Sequence, residues 1–386
     1  MKINQLHTLV NTVTQEILGE TGVLSEDLSN VVDIGKSIID SDNVDNYVKK
    51  LVNHIGKVVF NNRLYSGGAP SVLMDSWEYG SILEKVTADL PTASENDSYN
   101  LQNGRDYSPD IFYQPSVSAQ FFNSKITFEI PVSFTERQVK ESFSNANRLN
   151  GFISMLSTSV KNAMTVKLDG LIMRTINNMT AETLHADLFK ADTLDLTSTG
   201  VKAVNLLKLY NDEYGKAVTK EKALSDSDFI RYATYVIGLY RDRMSKISTL
   251  FNIGGKERFT SDEYLSTVLL SDFEKASNVF LKADSQNESM VTLPTHETVP
   301  YWQGSGTTYS FEDVSAINVK TSTGLTVNAT GIIGVMFDRE CIGVANMDSR
   351  VTTNYNPKAE FYTNFYKFDA GYYNDLNENY VVFFIG

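Results

Sequence analysis

The sequence predicts an α+β protein, on three observations. Apolar residues recur at intervals of three and four over most of the first 283 positions. After residue 290 the pattern changes to short apolar runs bounded by Gly, Asp and Asn. Within the first part, residues 62–131 hold five of the eight prolines and interrupt the helical period. With 42% hydrophobic and 21% charged residues among 386, the chain can bury at least one large core.

At the N-terminus, Leu6, Val10, Val13 and Ile17 form one helical stripe, and Val44, Val48, Leu51, Ile55 and Val58 form a second. The polar stretch between them holds Gly19, Gly22 and Gly35. Neither stripe has an obvious local partner, so the expectation is a loosely tethered helical arm over 1–61 that buries its apolar face elsewhere, as on another chain. Residues 62–131 read as an extended excursion with at most edge strands, because proline breaks helices and cannot donate to a sheet ladder. Ala119–Ile130 alternates like a single returning strand.

Thr135 and Gln138 make a capping box, with Phe134 and Val139 in the positions of a hydrophobic staple. From Val139 to Leu171 apolar residues step by three or four, predicting one helix of about 40 residues, on the order of 60 Å long, that stops at Asn177-Asn178. Gly151 and Gly170 each cost such a helix roughly 1 kcal/mol relative to alanine. Residues 201–283 read as mostly helical, with stripes at Val204, Leu207 and Tyr210 and at Ala233, Val236, Ile237, Tyr240 and Met244. A second cap at Thr260 and Glu263 opens a helix through Leu265, Val268, Leu269, Ala276 and Phe280. Short strands follow at 317–320, 325–329, 332–337 and 341–345, with Asp338-Arg339-Glu340 turning a hairpin. The tail, 360–386, carries ten of the 43 aromatic residues and reads as a long strand, a turn at 374–379 and a buried last strand.

Chemistry is sparse in this chain. One cysteine, Cys341, excludes an internal disulfide framework and a thiolate-cluster metal site, and its strand context makes it a small buried hydrophobe. His7 and His54 fall in helical stripes, His185 and His296 in polar loops, and no pair has metal-ligand spacing. The acidic run from Asp40 to Asn46 puts Val44 where a calcium loop needs a ligand and Asp45 where it needs glycine. HExxH, GxSxG and phosphate-loop patterns are missing. The expectation is no catalytic residue, no metal and no cofactor. A formal charge of −13 argues against a dedicated nucleic-acid binder and against docking on anionic lipid. The start of the chain shows no targeting segment, and its longest apolar runs fall far short of the ~20 residues that span a bilayer, so a soluble protein is expected.

The order of these parts resembles that of tailed-bacteriophage major capsid proteins with the Hong Kong 97 type of fold. The residues that carry the likeness are the arm end YVKKLVNHIGKVV (47–59), the helix opened by Thr135, the segment GIIGVMFDRECIGVA (331–345) and the end TNYNPKAEFYTNFYKFDAGYYNDLNENYVVFF (353–384). The hairpin and tail are most similar to shell proteins of the short-tailed, phi-type branch, and the likeness spans nearly the whole chain. It implies an N-terminal helical arm (1–61), an extended loop reaching over a neighbouring subunit (62–131), a peripheral domain with a long spine helix (132–199), an axial domain (200–350) and return strands (351–386). It also implies hexamers and pentamers closing an icosahedral shell around double-stranded DNA that is held nonspecifically. A portal protein and decoration proteins are further implied partners, with assembly in the host bacterial cytoplasm and final residence in the virion.

Two departures shape the expectation. Within 62–131 the only lysines are Lys85 and Lys125, so the lysine–asparagine cross-links of some relatives are not expected. The arm before the loop is too short for a cleavable scaffolding domain, which points to a separate scaffolding protein. As inter-subunit contacts we single out Trp77 and Tyr79, large aromatic groups in a polar arm that either anchor a neighbour or pack on their own subunit, together with Leu51 and Ile55 of the arm helix. An encapsulin-like nanocompartment shell would share the fold. From a different class, a secreted carbohydrate-active enzyme or adhesin would share the aromatic, Asn-rich strands but would not need the spine helix.

Overall fold

The computed structural model describes residues 3–19, 24–25, 29–40, 44–61, 69–74, 83–91, 93–107, 109–114, 116–190, 193–283, 293–303 and 310–386. In chain order the elements are α1 (Ile3–Leu18), α2 (Val31–Asp40), α3 (Val44–Asn61), β1 (Leu73–Met74), β2 (Leu83–Ala88), β3 (Val117–Phe122), β4 (Lys125–Thr135), α4 (Glu136–Ser142), α5 (Ala146–Leu188), β5 (Phe189–Lys190), β6 (Thr193–Leu194), β7 (Ala203–Asn205), α6 (Leu206–Tyr214), α7 (Lys220–Ala223), α8 (Ser227–Met244), β8 (Leu265–Leu270), α9 (Ser271–Ala283), β9 (Glu297–Val299), α10 (Phe311–Val314), β10 (Ile317–Lys320), β11 (Thr326–Ala329), β12 (Ile332–Asp338), β13 (Ile342–Asn356), β14 (Phe361–Asn374) and β15 (Tyr380–Phe384). They form two compact units. One comprises Met1–Ser76, Lys125–Ile172 and Val344–Gly371, the other Trp77–Ser124, Met173–Gly343 and Tyr372–Gly386. α5, β13 and β14 each run from one unit into the other.

The first unit is built on a four-stranded sheet of order β1-β13-β14-β4. Its backbone is the antiparallel pairing of β14 with β4, eleven residues in register from Phe361↔Thr135 to Gly371↔Lys125. Strict alternation along β14 turns Tyr362, Tyr366 and Phe368 into the core, where they meet Leu149, Ile153, Leu156, Val160 and Met164 of α5. The same core takes the N-terminal helices: Val10, Val13, Ile34, Ile38, Tyr47, Val48 and Leu51 are buried in it. This corrects the expectation of a loose arm seeking another chain, since the stripes find their partner within the subunit. Tyr362 seals the contact by donating its hydroxyl hydrogen to Asp45 of α3. An additional helix, α2, occupies the stretch read as a polar connector. Its Gly35 lets the backbone approach Phe143, whose Cβ lies 2.5 Å from where a side chain at 35 would begin.

The capping box forms as the sequence implies: Gln138 N donates to Thr135 Oγ1 at 3.2 Å and Thr135 N to Gln138 Oε1 at 2.9 Å. The helix it opens ends early, however, at Ser142. The long helix restarts at Ala146, where Asn145 Oδ1 accepts from Arg148 N at 2.9 Å in a new cap. Nor does α5 stop at Asn177-Asn178; it runs on to Leu188 and includes His185, which is therefore helical rather than in a loop. Asn177 survives inside the helix because its Nδ2 donates to the Trp302 carbonyl at 2.6 Å, giving its amide a partner away from the helix backbone.

The second unit carries a five-stranded sheet of order β7-β15-β12-β8-β9, buried between helices that include α6, α8 and α9. Residues 265–270 form its strand β8 rather than the start of a helix, and α9 begins only at Ser271. The run LSTVLL is buried on both faces, so its apolar residues follow no helical stripe. Thr260, expected to cap a helix, is buried and donates its hydroxyl hydrogen to Asp338 Oδ2 at 2.8 Å. Asp338-Arg339-Glu340 does not turn a hairpin either: β12 before it lies in this sheet, whereas β13 after it pairs in the sheet of the first unit. The strands at 317–320 and 326–329 and the last two strands stand where the sequence places them.

Two glycines separate helix propensity from packing. Gly151 lies on the exposed side of α5, where an added Cβ meets nothing within 4 Å. Gly151→Ala should raise subunit stability by about 1 kcal/mol, and Gly35→Ala should lower it by about 1–3 kcal/mol through overpacking on Phe143. Thermal unfolding of the two variants beside the parent chain reads the opposite signs; shifts of the same sign would contradict this account.

Candidate functional site

Residues 62–131 are not a structureless excursion. Strands β2 and β3 pair antiparallel in full register from Leu83↔Phe122 to Ala88↔Val117, and β4 begins three residues after β3 ends. The returning segment at 119–130 is thus two strands, interrupted at Asn123-Ser124. Alternation over both strands of the hairpin makes it two-faced. One face carries Leu83, Lys85, Thr87, Ser118, Gln120 and Phe122, all partly buried. The other carries Glu84, Val86, Ala88, Val117, Ala119 and Phe121, all exposed, with Phe121 at 63% and Val86 at 60%.

The outward face is thus mostly apolar, with Glu84 as its one charged group, while the inward face mixes Leu83 and Phe122 with Lys85, Thr87, Ser118 and Gln120. Beyond the strands the arm is polar but exposes large apolar groups among its polar ones: Tyr99 is 97% and Phe112 85% exposed, and Leu101, Ile111 and Tyr113 accompany them. Local bonds give the arm shape without covering it. Asn96 caps a short turn at Ser98 N, 2.8 Å away, and Arg105 pairs with Asp97 at 3.2 Å.

The inward face is held by charge. Lys85 Nζ lies 2.8 Å from Glu378 Oε1, 3.0 Å from Asp375 Oδ2 and 3.2 Å from Glu340 Oε2. Asp375 is 1% exposed and Glu378 8%, so these two carboxylates are buried, with Glu340 at the rim, 58% exposed. Arg258 adds a bond from Nε to Glu378 Oε1 at 3.2 Å. Gln120, its amide turned so that the nitrogen faces the carboxylate, donates to both oxygens of Asp375 at 3.0 and 3.2 Å. Phe122 packs on Tyr373 with ring centroids 4.9 Å apart, and Lys256 reaches Asp89, just past β2, at 2.8 Å. Burial by itself would lower the Lys85 pKa, but the hydrogen bond and charge of Glu378 and the charge of Asp375 outweigh it and hold the ammonium protonated well above the usual lysine range. On Glu378, burial pushes the carboxyl up against the pull of Lys85 and Arg258.

A cleft of about 420 Å³ opens beside this root, walled by Lys85, Arg258, Phe259, Tyr264, Glu340 and Glu378. Its groups are already engaged with one another, and no histidine lines it. Cys341 is fully buried nearby, its thiol pushed up by burial and then by Asp375, Glu378 and Asp338. Among the described residues no three His, Cys, Asp or Glu side chains are arranged to hold a metal ion, and no helix is long and apolar enough to cross a membrane.

Of the residues singled out from sequence, Trp77 and Tyr79 lie outside the described residues. Leu51 is buried in the core of its own unit, and Ile55 belongs to α3, its side chain outside the description. The Lys85 cluster escaped the sequence reading because its partners come from positions 340, 375 and 378. The signal for the two-faced hairpin was present in the alternation of 83–88 and 117–122, but the surrounding prolines masked it.

Comparison with known proteins places these features. Residues 10–384 match the family of Phi29-like phage major capsid proteins. No curated protein sequence matches the chain. Among solved structures, a chain of the capsid of Staphylococcus phage Andhra superposes with a TM-score of 0.51 at 9% identity, covering 84% of this chain and 86% of that one. A chain from the head fibre and inner core protein structure of bacteriophage P68 gives 0.49 at 10% identity, covering 84% and 88%. One from the capsid of cyanophage P-SCSP1u gives 0.47 at 11%, covering 82% and 86%.

Proposed function

Because the chain belongs to the Phi29-like phage major capsid protein family, we propose that its hairpin arm is the surface by which each subunit grips a neighbour in the shell. The protein is a capsid subunit with the Hong Kong 97-like fold, and many copies of it build the shell of a phage virion. The nanocompartment and secreted-protein readings give way to this one. The observation that carries the proposal is the outward apolar face of β2 and β3, continued by Tyr99, Phe112 and Tyr113. Such a face costs free energy in water and recovers it only when a second surface covers it, at about 25 cal/mol per Å² of apolar area.

The finer assignments follow from that role. The subunits group as hexamers and pentamers around the packaged DNA, and the net charge of −13 suits a wall that encloses phosphate without gripping it. The role is structural, without catalysis. A portal protein, decoration proteins and a separate scaffolding protein are the expected partners. Uniform, correctly sized shells assembled from this chain alone would contradict the need for a scaffold.

Lys85 also bears on covalent cross-linking. Its ammonium is engaged with three carboxylates, and 16% of its side chain is exposed, which leaves it a poor nucleophile for an amide bond with a neighbour. Mature particles boiled in reducing detergent should run as a single monomer band, and a ladder of multimers would overturn this.

Phe121→Ser and Val86→Ser on the outer face should leave the subunit's thermal stability within about 0.5 kcal/mol, as exposed positions usually do. In contrast, the yield of closed shells, counted by negative-stain electron microscopy and sedimentation after expression of the full chain with its genomic neighbours, should fall by at least about tenfold. Normal shells from both variants would remove the arm from the interface.

A further inference from the structure

The outward orientation of the hairpin needs an explanation of its own. Rolling the hairpin over would put Val86, Val117 and Phe121 against the subunit, but with Glu84 beside them and at the expense of Leu83 and Phe122, so apolar area alone discriminates weakly between the two faces. The charged groups that select the observed face sit at one place: Lys85 on β2, Asp338 at the end of β12 and Glu340 just after it, Asp375 and Glu378 in the turn between β14 and β15, and Arg258 in the segment before β8. Four carboxylates face two cations there. If the hairpin rolled over, Lys85 would leave, and Asp375 and Glu378 would stay buried with Arg258 as their remaining cation. An uncompensated buried charge is heavily penalised, so a cluster that contributes little net stability can still discriminate strongly between two packings.

We propose that Lys85 is a positioning residue for assembly: seated among Glu378, Asp375 and Glu340, it keeps the hairpin polar face down, so that the apolar face is presented to a neighbouring copy instead of being spent on the subunit itself. The inference rests on the outer face being the grip on the neighbour. It predicts that Lys85→Met, which keeps the length of the side chain and removes its charge, yields a folded subunit whose apolar face is turned inward. Lys85→Arg keeps a cation within reach of the carboxylates and should behave like the parent chain.

Hydroxyl-radical footprinting of the full chain, read by mass spectrometry, distinguishes this from a general structural role. In Lys85→Met, oxidation of Phe121 should drop toward that of the buried Phe383, with the exposed Tyr235 unchanged as internal standard. The yield of closed shells should fall by about tenfold or more, as for the outer-face variants, and Lys85→Arg should restore both. Unchanged oxidation of Phe121 would overturn the inference, whether or not shells form. So would a rise in oxidation of Phe383 and Phe121 together, because that reports loss of the fold. Reduced oxidation of Phe121 with normal shells would keep the orienting role of Lys85 and reject the outer face as the grip, a failure that Phe121→Ser detects independently.

Discussion

The two large sheets are completed by the last strands of the chain, and the rest of the subunit depends on that closure. β14 supplies the eleven-residue ladder with β4 in one unit, and β15 lies between β7 and β12 in the other. Neither core can be sealed until residues 361–384 arrive, so each sheet rests on contacts of long sequence separation, with high loop-closure cost and slow formation. The concentration of aromatic residues in this tail follows from its place: Tyr362, Tyr366, Phe368, Tyr380, Phe383 and Phe384 are all fully buried. Their large apolar area offsets the entropy of closing two sheets with one segment.

With the cores closed internally, the remaining question for a shell subunit is where it leaves apolar surface uncovered. The N-terminal helices and the hairpin arm answer in opposite ways. Stripes at Val10, Val13, Val48 and Leu51 are consumed within the subunit, whereas Val86, Val117 and Phe121 are held outside it. What separates the two is a buried ion cluster. The buried stripes of the helices are apolar, whereas the hairpin carries Lys85 on the face opposite Val86, Val117 and Phe121. Hydrophobic burial is non-directional; orientation has to come from groups whose mispairing is costly.

Several features were legible in the sequence because they depend on neighbours within a few positions. The capping box at Thr135 and Gln138 is one, the alternation of β14 another, and the position of β10, β11, β14 and β15 followed from short apolar runs and their turns. The misreadings share a cause. Thr260 and Glu263 satisfy the spacing of a cap, but Thr260 is captured by Asp338, 78 residues away. Asn177 has the composition of a helix stop, yet a carbonyl at Trp302 keeps it in the helix. The local signal was present in each case and a distant partner overrode it.

The sequence by itself determined the class of protein: the order of helical, proline-rich and strand-forming segments, the net negative charge, the lack of catalytic and metal-binding motifs, and hence the likeness to capsid subunits. These are one-dimensional properties, set by periodicity and composition. Tertiary structure alone decided which apolar stripes stay inside the subunit, that β12 and β13 part into different sheets, and that Lys85 meets Glu340, Asp375 and Glu378 under the hairpin. The physical reason is that burial and ion pairing depend on which surfaces meet, and in this chain the partners are separated by hundreds of residues.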